Sequence, residues 1–98
     1  MNMQAMLKQA QKMQKDMMNA QEEINNTVFT GKSSLVTVTM DGTKTVKSVK
    51  IDADELDKED IEMLEDMMIV AVNDCVKQIN DLTEKKMGAY TKGMPGLF

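Results

Sequence analysis

The first quarter of the chain carries apolar residues at an alternating spacing of three and four positions. The series is Met3, Met6, Ala10, Met13, Met17, Ala20 and Ile24. This spacing keeps apolar side chains on one side of an α-helix, and no Gly or Pro interrupts the segment. The sequence therefore predicts one helix over residues 3–26, about 36 Å long. Since the remaining residues form a shorter body, this helix is expected to project or to lie along something else.

Three lysines lie on the side of this predicted helix opposite the apolar residues. At 100° per residue, Lys8, Lys12 and Lys15 fall within a narrow arc almost diametrically across from them. One face of the helix is therefore apolar, and the other face is cationic over the first half of its length. Such an arc can contact DNA phosphates or can be an ordinary solvated helix face, and the residues alone leave both interpretations open.

Charge is unevenly distributed along an acidic chain. The net charge is −4 and the pI is near 4.7, which opposes binding of a polyanion by bulk charge. Up to residue 50, however, seven lysines stand against four acids, whereas residues 52–66 carry nine acids and one lysine. Every cation is a lysine, so bidentate arginine contacts to bases or phosphates are excluded. Any DNA contact is therefore expected to be made to phosphates, with weak sequence preference.

Three short antiparallel strands are predicted after the first helix. They cover residues 27–30, 35–40 and 46–51. We expect the first strand to stop at Gly31 and a polar turn to follow at residues 32–34. The second strand places alternate residues on one face, namely Val36, Val38 and Met40. Asp41-Gly42 indicates a hairpin, and in the third strand Val49 and Ile51 are expected on one side and Val46 on the other.

A second long helix is predicted over residues 57–87. Asp57 is the expected N-cap and Gly88 the expected residue just beyond the C-terminus, followed by a flexible tail at residues 88–98. The chain is thus predicted to be a single α+β domain, residues 1–98, in which the helix covers the sheet. The only aromatic residues of the whole chain are Phe29, Tyr90 and Phe98. A thin core and an exposed methionine face together favour an oligomer, most simply a homodimer.

Catalytic and metal-binding functions have little support. The chain has no histidine and one cysteine, so zinc sites and Ser–His or Cys–His pairs are excluded. The acidic run does not fit a calcium loop, because the glycine and the final glutamate of that motif are missing. Cys75 is interpreted as a buried packing residue in a reducing, cytoplasmic protein. We expect that the protein is not an enzyme and uses no cofactor or small-molecule substrate. We also expect that it has no membrane span and no signal peptide.

The order of these segments resembles the YbaB/EbfC family of bacterial nucleoid-associated proteins. The stretches that carry the resemblance are MLKQAQKMQ at 6–14, QEEI at 21–24, VFTGK at 28–32, LVTVTMDG at 35–42, VKSVKID at 46–52, EMLEDMMIVAVND at 62–74 and GMPGLF at 93–98. Each is ordinary alone, but together they cover essentially the whole chain in order.

The resemblance implies a tweezer-like homodimer whose helical arms project from a shared body and bind double-stranded DNA in the nucleoid, in some relatives regulating expression. The positions that match the DNA-contacting residues of the family are Lys8, Lys12 and Lys15 on the first helix and Lys77, Lys85 and Lys86 on the last. The first hypothesis is thus a dimer that clamps the duplex backbone between lysine-bearing arms. The alternative is a structural or adaptor protein that binds a protein partner through its Met-rich helices.

Overall fold

The structure, a computed structural model, describes residues 2–91. Its elements are α1 (Met3–Asn26), β1 (Val28–Ser33), β2 (Val36–Asp41), β3 (Val46–Ile51), a 3₁₀ turn (Lys58–Asp60) and α2 (Ile61–Thr91). The strands form one antiparallel sheet in the order β1-β2-β3. The predicted α+β class and element order are therefore confirmed. The molecule is elongated, 71 × 21 × 14 Å, because α1 extends beyond the body.

Helix α1 is anchored to the body only at its C-terminal end. Asn2 caps its start, since its side-chain oxygen accepts a hydrogen bond from the backbone N–H of Gln4 (3.0 Å). Every residue from 3 to 16 is exposed, whereas Ile24 is fully buried. Helix α1 is thus an arm, as the apolar spacing predicted.

The core lies between α2 and two of the three strands. Its members are Phe29, Val36, Val38, Met40, Ala71, Cys75 and Ile79. The alternating face predicted for β2 is confirmed, since all three of its apolar residues on that face are buried. Helix α2 contacts β1 and β2 but not β3, and every residue of β3 is exposed. The helix therefore covers about two thirds of the sheet, not all of it.

Strand β1 continues through Gly31 to Ser33, and the prediction that it stops at Gly31 was wrong. The glycine lies in the strand because α2 passes directly over it. A Cβ built on Gly31 would be 2.1 Å from the backbone oxygen of Ala71 and 2.8 Å from Cys75 Sγ. Only a residue without a side chain fits between the two backbones. The turn comes later, at Ser34, whose φ is 51°.

The hairpin between β2 and β3 is confirmed, but its loop is longer than two residues. The Asp41 carboxylate organises it by accepting from the backbone N–H groups of Thr43 (2.9 Å) and Thr45 (3.2 Å). An irregularity in register follows, so that Met40 pairs with Val46 and Val38 with Val49. Because directly paired residues share a face, Val46 lies on the same side as Val49. The predicted separation of these two valines was therefore wrong, since the bulge inserts a residue between them.

Helix α2 does not end at residue 87 but continues through Gly88 to Thr91. A glycine inside a helix costs about 1 kcal/mol relative to alanine, and tertiary contact offsets this cost. Met87 is buried, and Tyr90 lies in a groove shared with Asp16 and Ala20 of α1. Residues 88–91 thus belong to the helix, and the rest of the predicted tail, residues 92–98, lies outside the described part of the chain.

Candidate nucleic-acid interface

The arm lysines are exposed and carry no ion pair within residues 2–91. Lys8, Lys12 and Lys15 lie in the outer half of α1, spread over about 10 Å of the helix axis. None has a carboxylate oxygen within 4.0 Å in the described structure. Their ammonium groups are therefore available to an external anion.

The outer half of the arm is cationic although the chain as a whole is acidic. Between residues 3 and 15 there are three lysines and no acid. The acids of α1 lie closer to the body, at Asp16, Glu22 and Glu23. Exposed charges more than about 10 Å apart are largely screened at 0.1 M salt, so of these acids only Asp16, next to Lys15, is near enough to offset the lysines. The outer half of the arm keeps a net positive charge. The net charge of −4 does not exclude anion binding there.

The lysines predicted on α2 are in a different environment. Lys77 pairs with Asp81 one helical turn away (Nζ–Oδ2 3.2 Å), and Lys86 pairs with Glu23 of α1 (Nζ–Oε2 2.6 Å). Lys85 is exposed and has no ion-pair partner within residues 2–91. Two of the three α2 positions are therefore already engaged by carboxylates.

The Glu23–Lys86 ion pair joins the base of the arm to α2. The hydrogen bond and the charge of the Lys86 ammonium together hold the pKa of the Glu23 carboxyl below its usual range. Sequence reasoning assigned Lys86 to DNA and missed this contact, because no local signal connects residues 63 positions apart. The ion pair connects α2 to the base of the arm, and the DNA contact expected of Lys86 stays a prediction.

The six predicted lysines do not form one cluster. Helices α1 and α2 meet in antiparallel fashion, since Lys86 lies at Glu23 and Tyr90 lies further along, near Asp16. Along α1, the nearest arm lysine lies about 12 Å from Glu23 toward the free end of the arm. Along α2, Lys77 lies about 13 Å from Lys86 in the opposite direction, toward the body. The structure therefore defines an arm group and a body group of lysines.

An apolar surface lies uncovered beside the sheet. Val46, Val49 and Ile51 share the core face of the sheet, yet α2 does not reach them, and Val49 is 44% exposed. We call these three residues the β3 face.

The flank of α2 that adjoins the β3 face is also apolar. The opposite flank is held to β1, where the Asp74 carboxylate accepts from the Lys32 N–H (3.4 Å) and the Gln78 amide donates to the Thr30 carbonyl (2.8 Å). At 100° per residue, the flank away from β1 carries Ile69, Val72 and Val76, and Ile69 is 58% exposed. Because β3 lies beyond β2 on the side away from β1, this flank is on the same side of the body as the β3 face, and we call the two together the apolar patch, a kind of surface that marks a protein interface.

Metal-binding clusters, membrane-spanning helices and the single cysteine bear on other functions that the described part of the chain could have. Within residues 2–91 no group of three or more Cys, Asp or Glu side chains is placed to hold a metal ion. No described helix is long and apolar enough to cross a membrane. The Cys75 thiol is buried, donates to the Val38 carbonyl (Sγ–O 3.3 Å), and burial raises its pKa, so it is a packing residue and not an activated nucleophile.

Fold and charge together define a small α+β protein that presents a cationic helical arm from a body with an uncovered apolar patch. The sequence pattern of the YbaB/EbfC DNA-binding family matches residues 1–94. The chain belongs to this family, which confirms the predicted membership and the prediction of a DNA-binding protein. The family is one of DNA-binding proteins and not of enzymes.

Individual relatives are similar to this protein over almost the whole length of the chain. A nucleoid-associated protein of Lactococcus lactis subsp. cremoris (strain MG1363) is 56% identical over 97% of this chain and 98% of its own. One from Enterococcus faecalis is 50% identical over 97% of this chain and 93% of its own. The crystal structure of the uncharacterized Helicobacter pylori protein HP0035 superimposes with a TM-score of 0.69 over 94% of this chain and 97% of that chain, at 24% identity. This last similarity establishes a shared fold.

Proposed function

We propose that this chain is a nucleoid-associated protein of the bacterial cytoplasm that holds duplex DNA by its phosphates, between the arms of a homodimer. The observation that carries the proposal is the set of three unpaired lysines on an arm segment without acids. The names of the Lactococcus and Enterococcus relatives support the nucleoid association. We infer that the chain has no enzymatic activity, and the absence of histidine from the sequence supports this.

The spacing of the lysines suits a phosphate backbone. One strand of duplex DNA carries a phosphate every 3.4 Å or so along the axis, so a segment of about 10 Å spans roughly three of them. Lysine ammonium groups act as point charges and read no base pattern. Binding is therefore expected to be largely independent of sequence, with any effect on gene expression following from occupancy.

The dimer is proposed to form through the β3 face. A second copy that covers Val46, Val49 and Ile51, together with the flank of α2 beside them, would bury apolar residues that one chain leaves exposed. A two-fold contact between identical patches is the simplest way to cover them. It also supplies a second arm, and thereby doubles the number of lysines that meet one duplex.

A charge placed in the β3 face tests the dimer. Val49→Glu is expected to convert the dimer to a monomer, because a carboxylate buried without a partner is strongly unfavourable. The control is Ser48→Glu, which adds the same charge to the neighbouring position of β3, on the opposite face of the sheet beside Thr39. Mass is measured by light scattering on a sizing column, and circular dichroism checks that both variants are folded. Equal masses for Val49→Glu and the unaltered protein would exclude this interface.

Salt dependence of DNA binding tests the function. Anisotropy of a labelled duplex of arbitrary sequence, titrated at several salt concentrations, is expected to give a slope of log affinity against log salt of about −5 if six lysines each neutralise one phosphate. The monomeric Val49→Glu variant should give about −3. If the unaltered protein does not bind even at low salt, the arm is not a DNA-binding element.

A second candidate function is that of an adaptor that binds another protein through the methionines of α1. The exposure of Met3 (84%) and Met6 (50%) favours it. Purification from cells without nuclease treatment separates the two functions. Co-purified nucleic acid supports DNA binding, and a stoichiometric protein partner with no nucleic acid supports the adaptor.

A further inference from the structure

Within residues 2–91 the apolar side of the arm is exposed from residue 16 outward, and Met17 is half-buried where the arm approaches the body. We call Met3, Met6, Ala10, Met13 and Met17 the arm seam. The same row of positions continues at the base of the arm, where Ala20 is half-buried and Ile24 is fully buried against the body. The arm seam is thus the outward extension of a packed interface, left open from residue 16 outward.

The order of residues in the arm seam is nearly the same in both directions from Ala10. Met3 and Met17 lie seven positions away on either side, and Met6 and Met13 lie four and three positions away. An antiparallel pair with its two-fold axis at Ala10 therefore places Met3 of each arm near Met17 of the other. The small central side chain lets two helices approach closely, and the methionines on both sides adapt their shape to one another. The arm seam is self-complementary.

The charges of the arm do not oppose such a pair. The positions that border the arm seam between residues 3 and 15 include Gln9 and Gln14, which are uncharged, and the three lysines lie on the opposite side of the helix. Two arms in contact along their seams would keep their lysines outward and far from each other. Like-charge repulsion across the contact is therefore small.

We propose that the arm seam docks in antiparallel fashion onto the arm seam of a second copy, centred on Ala10, and that this contact joins one dimer to the next. Ala10 lies about 21 Å along α1 from Ile24, where the arm meets the body. The contact is therefore separate from the β3 face, and two separate two-fold contacts link dimers into tetramers or chains.

Joined arms present their lysines on two opposite sides. This part of the inference rests on the proposed function, and it follows that two duplexes are held at once. The protein then bridges two duplexes in addition to holding one.

A bridging assay tests the proposal with matched variants. The Met6→Gln/Met13→Gln variant removes apolar side chains from the arm seam without adding charge. The Leu7→Gln/Met18→Gln control changes two exposed apolar residues off the seam, of which Leu7 is 61% exposed. Capture of a labelled duplex by a bead-bound duplex measures bridging, and anisotropy measures binding to one duplex. We expect capture to fall about tenfold or more in the seam variant, because losing the burial of even one methionine weakens a contact by more than tenfold. The affinity for a single duplex, measured by anisotropy, should not change. The control variant should capture DNA as the unaltered protein does.

A cross-linking experiment tests the geometry without DNA. Ala10→Cys is expected to form a disulfide between dimers under mild oxidation, because the two Cα atoms at the axis lie within the 7 Å or so that a disulfide requires. Lys12→Cys, on the opposite side of the arm, should not. The native Cys75 is buried and remains outside the reaction. Native mass then distinguishes a linked tetramer from a disulfide formed inside one dimer.

The outcomes separate this inference from the proposed function. The arm contact would be overturned if the seam variant bridged DNA as well as the unaltered protein, or if that variant were a monomer. It would also be overturned if the Ala10→Cys disulfide failed to form or formed only inside one dimer. If the unaltered protein fails to bind a single duplex while Ala10→Cys still links dimers, DNA binding by the arm is wrong and the contact stands.

Discussion

Replacement of Lys8, Lys12 and Lys15 by glutamate is expected to abolish binding to duplex DNA at physiological salt while the protein remains folded and its mass is unchanged. In a dimer the substitution removes six phosphate contacts, and the loss of that number corresponds to roughly 1,000-fold or more in affinity near 0.15 M salt. The three side chains are exposed and unpaired within residues 2–91, so their replacement removes no contact from the core. Anisotropy measures the affinity, and a sizing column checks the mass.

The control must separate the arm from bulk charge. Substitution of glutamate for Lys32, Lys44 and Lys50, three exposed lysines of the body, changes the net charge by the same amount. The arm variant should lose binding, and the body variant should retain most of it. Equal loss in both would show that overall charge governs binding, and unchanged affinity in the arm variant would exclude the arm as the DNA contact.

Gly31→Ala is expected to destabilise the protein by about 3 kcal/mol or more. The new methyl group would lie 2.1 Å from the backbone oxygen of Ala71 and 2.8 Å from Cys75 Sγ. A backbone carbonyl within a helix cannot rotate away, so α2 must move off β1, which loosens the core. Small domains have only about 5–15 kcal/mol of stability, and the change is therefore a large part of the total. Urea unfolding followed by circular dichroism measures it.

Gly88→Ala is the matched control for this prediction. Within residues 2–91 a Cβ at Gly88 meets no heavy atom within 4 Å outside its own helical turn, and the residue lies within α2. The same substitution should therefore leave the free energy of unfolding unchanged or raise it by about 0.5–1 kcal/mol. Similar stabilities for the two variants would show that the close approach of α2 to β1 at Gly31 is not a constraint.

The Glu23–Lys86 ion pair is a contact that the sequence context of Lys86 could not indicate, and the assignment of Lys86 to DNA stays a prediction. As a lysine near the end of a helix, Lys86 matched the DNA-contacting positions of the family. The folded chain places it against a carboxylate 63 positions away, where it connects α2 to the arm. The assignments of Lys77 and Lys85 to DNA likewise stay predictions. The ion pair with Asp81 makes Lys77 less available to a phosphate.

Periodic features of this protein were determined by the sequence itself. The spacing from Met3 to Ile24 requires only the helical repeat to produce an arm with an apolar side and a lysine side. The alternation of Val36, Val38 and Met40 requires only the strand repeat to produce a buried face. These features depend on neighbours along the chain, whose geometry the backbone dictates.

Non-local features were decided by the tertiary structure alone. Gly31 remains in a strand because α2 crosses it, and Val46 joins the β3 face because a bulge shifts its register. Helix α2 continues past Gly88, where Met87 is buried and Tyr90 shares a groove with α1. Each outcome depends on contacts between elements, and these contacts exceed the local preference that pointed the other way. Local repeats thus determined the elements and the arm, and the contacts between elements decided where they end and which surfaces stay open.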